Sequence, residues 1–340
     1  MDRNRILNTI SREQLGIEIG PWFSPIAPKK DGYNCLSLDV YPTEILKRRA
    51  ASDKNIEEDQ RNHIEEVDLI GSSAEIASIA EEKGLTGKID YIISSHNLEH
   101  IPNPVKFLQG CASTLKVGGV LSMMVPDKRA CFDHFRPHTT LGDWLEAYFE
   151  GRAKPTLKQV FEAHQLGGLF NGNGGFDLTV TSADITPTNN IFPGYVFWVD
   201  QVRTGDKNYN DTHCWTLTPT VFELLILDLA QLGLVKLKLD HVTDAEGCEF
   251  HTRLINMGTD WSPEYSNDEY FSIRTGLIKK AHAEQFVNAS LSSDRTDISA
   301  LKQENYRLVE KLVKMENSTS WRITAPLRKI KTIARSLISK

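Results

Sequence analysis

The sequence predicts an α/β fold: a doubly wound, mostly parallel sheet of seven strands with a cap insertion and a helical, coiled-coil tail. Three observations carry this. Short β-rich runs alternate with helical patterns through residues 1–126, which implies βαβ units and a parallel sheet. A long Gly-, Asn- and Thr-rich stretch, 127–210, then breaks that rhythm. Over 211–260 the alternation returns and brings two more strand patterns.

In chain order, the first five strands are expected at 16–19, 35–39, 67–70, 91–95 and 120–125, each bounded by Gly, Pro, Ser or Asp. Helices are expected between them at 43–51, 74–83 and 105–115, from apolar residues at helical spacing. The insertion holds one expected helix, 141–151, and its place after a central strand suits a substrate-covering cap. Thr218 reads as an N-cap with Pro219 at the first helical position, which starts a helix running to Leu232. Strands at 235–241 and 249–256 are expected to pair antiparallel and close the sheet. Residues 261–297 read as a linker. From 298 to 317 a seam of Ile298, Leu301, Asn305, Leu308, Leu312 and Met315 predicts a short coiled coil, with Asn305 favouring a two-stranded homodimer. The alternative is one amphipathic helix docked on the chain's own body.

Composition narrows the class. The chain has 340 residues and a formal charge of -6, but six basic residues and no acid follow Trp321. The rest of the chain is therefore the more acidic part, which argues against nucleic acid as a partner. Five scattered cysteines with no CxxC pair suit a reducing compartment and no structural zinc site. A polar start at Met1-Asp2-Arg3 and no long apolar run predict a cytoplasmic protein.

The candidate chemistry sits at the strand ends. Glu18-Ile19-Gly20 closes the first strand with an acid and a turn glycine. Asp39 ends the second, about twenty residues on, where a carboxylate can accept both hydroxyls of a ribose. Gly71-Ser72-Ser73 follows the third strand, and the fourth runs into His96-Asn97-Leu98-Glu99-His100-Ile101-Pro102. Leu115-Lys-Val-Gly118-Gly119 precedes the fifth. No G-x-G-x-x-G follows the first strand, which weighs against an NAD enzyme. His96 and His100 are four apart but lack the Glu of H-E-x-x-H and a third ligand, and His134 and His138, also four apart, have Pro137 interrupting any helix between them, so no metal is expected.

Taken together these segments resemble class I S-adenosylmethionine-dependent methyltransferases, over about 12–125 and again over about 211–257. The L-E-H-I-P and L-K-V-G-G segments carry most of the likeness. It implies a Rossmann-like methyltransferase fold with S-adenosylmethionine as cofactor, held by Glu18, Gly20, Asp39, Ser72, Ser73, His96 and Asn97. It also implies that Asn97 borders the methyl site and that His100 is a hydrogen-bonding residue below the cofactor. Pro21-Trp22-Phe23-Ser24-Pro25 departs from the family's G-x-G, which makes the turn stiffer. Deprotonating a hydroxyl acceptor needs a base near the cap. His213 is the first candidate and His134 and Asp127 follow; Asp127 with Arg129 as a structural ion pair is the alternative. Phe132, Trp144, Phe192, Tyr195, Trp198 and Trp215 can stack on sugar faces or form the cap's own core.

The tail, Ser318-Thr-Ser-Trp321-Arg322-Ile-Thr-Ala-Pro326-Leu-Arg328, resembles a terminal motif of bacterial enzymes of surface-polysaccharide assembly. Beyond it, basic residues flank an apolar helical stripe, which suits the inner face of the plasma membrane or an assembly complex. The expected activity is O-methylation of a sugar or glycan hydroxyl in O-antigen or capsule synthesis. The alternatives are a non-catalytic scaffold in such a complex, or a methyltransferase for a lipid or small metabolite.

Overall fold

The computed structural model describes residues 3–188, 191–205 and 209–284. The coiled-coil and tail expectations, 298–317 and 318–340, lie outside the described residues. The described chain opens with helix α1 (Arg3–Leu7), strand β1 (Gly16–Ile19), strand β2 (Cys35–Asp39), helix α2 (Thr43–Ser52) and the single turn α3 (Glu58–Arg61). Strand β3 (Leu69–Ile70), helix α4 (Ile76–Glu82), strand β4 (Ile89–Ser95), helix α5 (Pro104–Thr114) and strand β5 (Leu115–Pro126) complete the first half. Helices α6 (Leu141–Phe149) and α7 (Leu157–Gln165), the hairpin β6 (Gly168–Leu169) and β7 (Thr186–Pro187), and helix α8 (Ile191–Thr204) form the insertion. Helix α9 (Pro219–Gln231), strands β8 (Leu237–Val242) and β9 (Glu249–Asn256), and helix α10 (Asn267–Glu284) follow.

Seven strands make one sheet in the order β3-β2-β1-β4-β5-β9-β8. The first five are parallel, β9 runs antiparallel to β5, and β8 antiparallel to β9. This is the doubly wound, Rossmann-like methyltransferase fold expected. Both faces of the sheet are covered, so central strands are nearly continuously apolar rather than alternating. In β4, Ile92 enters the large core with Phe107 and Leu108 of α5 and Phe222 and Leu225 of α9. Its neighbours Tyr91 and Ile93 face the opposite side, with Ile6 of α1 and Met124.

Helix starts follow the predicted chemistry. The Thr218 hydroxyl accepts from Val221 N, with Pro219 in the first turn. In α5 the Asn103 side chain accepts from Lys106 N, and Pro104 leads. The largest shift of a boundary is at β5. β5 starts at Leu115 instead of 120, because Gly119 runs close enough to β4 to extend the pairing. A Cβ there would lie 2.9–3.1 Å from the carbonyl oxygens of Lys116, Ile89 and Asp90.

The expected linker carries α10 in its first part. Arg274 Nε bonds both oxygens of the buried Asp228 on α9, and Tyr270 donates to the same carboxylate at 2.9 Å. At its far end Glu284 accepts from Thr218 and Thr220. The polar composition of 261–284 thus reflects ion pairs that fasten a helix, not chain left in solvent. All five cysteines are unpaired. No helix of the described residues is long and apolar enough to cross a membrane.

Candidate active site

The carboxyl ends of β1 to β5 lie along one edge, where open α/β sheets bind ligands, and strand order reverses between β1 and β4. On β1, Glu18 is buried, and its two oxygens accept Ile26 N at 2.7 Å and Ala27 N at 2.9 Å. The acid therefore latches the loop 21–28 onto the strand. Within that loop Ser24 N donates to Pro21 O at 2.9 Å, and Trp22 adopts φ +49. Trp22 and Phe23 pack on Leu46 and Ala50 of α2. The Pro-rich loop is thus held by packing and a buried acid where a G-x-G turn would use backbone freedom. Gly20 alone keeps that freedom. Its φ is +60, and a Cβ would meet nothing within 4 Å, so its backbone borders open space.

Asp39 is half-buried, and burial raises its pKa against the backbone hydrogen bonds that lower it. Its Oδ1 accepts Tyr41 N at 3.0 Å. It does not cap α2, whose N-cap is Pro42. After β3, Ser72 Oγ accepts Ala74 N and caps a short turn. Ser73 Oγ donates to Asn97 Oδ1 at 2.9 Å, and Asn97 Nδ2 donates to Ser94 Oγ at 3.1 Å. The fold so brings together Ser73 and Asn97, two of the expected contacts.

His96 begins a second constellation. It sits at φ +47, a conformation uncommon for a non-glycine residue. Its Nε2 lies 2.6 Å from Glu249 Oε2 on β9, and its Nδ1 lies 3.6 Å from Glu99 Oε1. Burial disfavours its charge, but these carboxylates outweigh burial and push its pKa up to about 10. His100 and His213 are arranged alike. His100 Nδ1 is 2.9 Å from Asp211 Oδ1, with Nε2 4.0 Å from Glu99 Oε1. His213 Nδ1 is 2.5 Å from Asp133 Oδ2, with Nε2 3.9 Å from Glu99 Oε1. Asp133 is buried and also takes Arg136 Nη1 at 2.6 Å. Burial pushes its pKa up, but His213 and Arg136 hold it below the usual carboxylate range. The hydrogen bond from His100 lowers that of Asp211. At the centre Glu99 is 1% exposed, and neither of its oxygens has a hydrogen-bond partner.

The other two candidate bases lie elsewhere. Asp127 is fully buried and receives Arg129 Nε and Nη2 on its two oxygens, the ion-pair arrangement. His134 Nδ1 contacts Arg129 O at 2.9 Å and Nε2 contacts Ser182 Oγ at 2.8 Å, and burial lowers its pKa. Of the six aromatics, Trp144 and Trp215 belong to the main core. Trp198 packs edge-on against Phe161, and Phe192 and Tyr195 are exposed on α8. Phe132 meets the cluster, its ring centroid 4.6 Å from that of His213.

Sequence reasoning misses Glu99, Asp133, Asp211 and Glu249 as members of this cluster. The L-E-H segment was a signal for Glu99. Asp133 pairs with His213 across 80 residues, Asp211 with His100 across 111 and Glu249 with His96 across 153, pairings that no local spacing gives, although Asp211 stands two residues before His213.

The fold and its strand ends define a nucleoside-cofactor enzyme domain of the doubly wound class. Residues 15–180 match the family model described as a methyltransferase domain. Those residues form a methyltransferase domain, and S-adenosylmethionine is its cofactor. Among solved structures it is similar to an S-adenosylmethionine-dependent methyltransferase, possible histamine N-methyltransferase, from Thermotoga maritima. Identity there is 10%, coverage 75% of this chain and 87% of that one, and the TM-score 0.35. A putative sarcosine dimethylglycine methyltransferase from Galdieria sulphuraria gives 14%, 75%, 82% and 0.30. A methyltransferase from Methanosarcina mazei gives 12%, 74%, 97% and 0.34. Likeness this slight says nothing about the acceptor. No curated protein matches the chain.

Proposed function

We propose that this domain O-methylates a sugar hydroxyl of a glycan intermediate in bacterial surface-polysaccharide synthesis. The observation that carries the transfer to oxygen is the His213–Asp133 pair, whose free Nε2 faces the centre of the histidine cluster. With Nδ1–H donated to Asp133, the neutral imidazole presents a lone pair at Nε2, the arrangement of an oriented general base. The sugar class is supported by the S-W-R-x-T-x-P-L-R segment of the tail. The same segment and its basic stripe support action at the inner face of the membrane, and the seam at 298–317 supports a homodimer.

The residues at the sheet edge suit the cofactor. Open space before Gly20 admits a ligand against the backbone, and Asp39 offers a carboxylate at the end of β2. In this reading Asp39 takes the ribose, and Ser72 and Ser73 flank the base. Gly20 lies beside the methionine end, with Glu18 behind it holding the loop. Asn97 and His96 border the reacting carbon. When bound, the cofactor would supply a methyl carbon on a sulfonium; the acceptor's oxygen would bond to that carbon in line as the carbon–sulfur bond breaks and the neutral thioether leaves. His213 accepts the hydroxyl proton at Nε2, Asp133 steadies the resulting charge, and Phe132 covers one side against water.

The test uses the full chain with labelled cofactor and isolated glycan acceptors. Methylated glycan is expected, with turnover falling about 10²–10⁴-fold in His213→Ala while the demethylated cofactor still binds. Methylation only of lipids or metabolites, or full turnover by His213→Ala, would overturn the reading.

A further inference from the structure

We infer that Glu99, His100 and His213 form a binding site for a divalent transition-metal ion. Each offers one ligand atom, and the three atoms lie within 4.8 Å of one another. Two features separate this cluster from an ordinary polar contact.

The first is Glu99. A carboxylate this deeply buried with both oxygens off any hydrogen bond needs positive charge close by, and here it is faced by three histidine rings at 3.6–4.0 Å, none within hydrogen-bond reach. The second is the outer layer. His100 and His213 each give Nδ1 to a carboxylate, Asp211 and Asp133, which fixes the ring and leaves Nε2 bare toward Glu99. A carboxylate behind each ligating histidine is how proteins orient imidazoles on a metal. The rings stand edge to face at 85° with centroids 4.7 Å apart, and both Nε2 atoms approach the same Glu99 oxygen, at 4.0 and 3.9 Å.

The distances fit. Ligands about 2.0–2.2 Å from zinc in a tetrahedral arrangement stand about 3.3–3.5 Å apart. Here the Glu99 Oε1 to Nε2 distances are 3.9 and 4.0 Å and all three ligand atoms lie within 4.8 Å, so closing on an ion needs shifts of about half an ångström to somewhat over one. Two imidazoles and one carboxylate suit zinc and its neighbours, not magnesium or calcium, which favour all-oxygen ligands. His96, its Nδ1 3.6 Å from Glu99 Oε1 and its Nε2 held by Glu249, stands at the edge of the site.

Three protein ligands leave a position open for an acceptor oxygen. That part of the inference rests on the O-methylation reading. With an ion seated, His213 Nε2 would be a ligand and no longer the proton acceptor; the ion would take over that role by acidifying the acceptor hydroxyl, and the proton would pass to solvent. Metal binding itself does not depend on the acceptor.

The test is direct. Full-length protein is stripped with a chelator, dialysed and titrated with Co²⁺ by visible absorption and with Zn²⁺ by calorimetry. One ion per chain is expected, with d–d bands of a four- or five-coordinate site. Glu99→Gln and His100→Ala should each weaken binding by at least about 100-fold, and Asp211→Asn by about 10-fold. Binding of the demethylated cofactor monitors folding in every variant, and the partly exposed His100 supplies a variant that spares the core if Glu99→Gln does not fold. Stripped protein that binds its cofactor but no ion would overturn the inference, as would ion binding unchanged in both ligand variants. Because neither readout needs an acceptor, failure of the glycan reading leaves this result standing.

Discussion

Replacing Glu18 with alanine should destabilise the domain and slacken the loop 21–28 together. Its carboxylate takes two backbone N–H groups, Ile26 at 2.7 Å and Ala27 at 2.9 Å, from residues that are themselves buried. Removing it leaves both donors without partners, at about 1–3 kcal/mol each. Water entering the space recovers part of that, which leaves about 3 kcal/mol. For a domain of this size the midpoint of thermal unfolding should fall by about 6–9 °C. Glu18→Gln keeps one acceptor and turns an amide against the other N–H, so it should lose about half as much. Because the loop leads from Gly20, affinity for the demethylated cofactor should fall about tenfold in the alanine variant, by calorimetry. The assay is a thermal melt beside that titration. Unchanged melting with abolished binding would refute the latch and make Glu18 a direct cofactor ligand.

Other perturbations test other parts. Gly20→Val puts a branched side chain at φ +60 and into open space, so it should cost about 1–2 kcal/mol and weaken cofactor binding more than tenfold; equal affinity by calorimetry would show that no ligand lies there. Arg274→Ala removes the cation from buried Asp228 and should destabilise by about 2 kcal/mol in urea unfolding, whereas a true linker residue would change nothing. His251 is buried beside the charges of His241, Arg253 and Arg5, and its pKa is pushed down to about 4. Between pH 6.5 and 4 the unfolded chain takes up a proton there that the folded chain does not. Stability is therefore full above about pH 6.5 and declines below it, by on the order of 3 kcal/mol. His251→Gln should flatten this acid limb, and an unaltered limb between pH 7 and 5 would refute it.

What the sequence disclosed follows from how local each signal is. Strands 16–19, 35–39 and 249–256 appear at the predicted residues, since buried strands announce themselves as apolar runs between turn residues. Helices α7 and α8 were not foreseen. The first turn of α8 reads Ile-Phe-Pro-Gly, and Pro193-Gly194 looks like a loop until Gly194 is seen against the Phe161 ring. The departure from G-x-G was visible, but its compensation was not. That the acid of β1 serves the loop eight residues ahead depends on a fold-back no spacing encodes.

The metal question shows the same limit most sharply. In the sequence His96 and His100, four apart, read as a helical pair with no third ligand. In the fold they do not act as a helical pair at all, because His96 sits at φ +47 and a short 3-10 turn follows it. That turn aims Glu99 inward between the two rings, and the chain returns at 211–213 to add a third imidazole, His213, and the Asp211 carboxylate on His100. Three carboxylates and three histidines thus gather around the buried oxygen pair of Glu99. If only protons balanced these charges, the arrangement would be an expensive way to pack a loop, since a salt-bridged cluster seldom outdoes apolar side chains of like volume. A cluster that leaves its central carboxylate without a single hydrogen bond is better explained by what it binds than by what it stabilises.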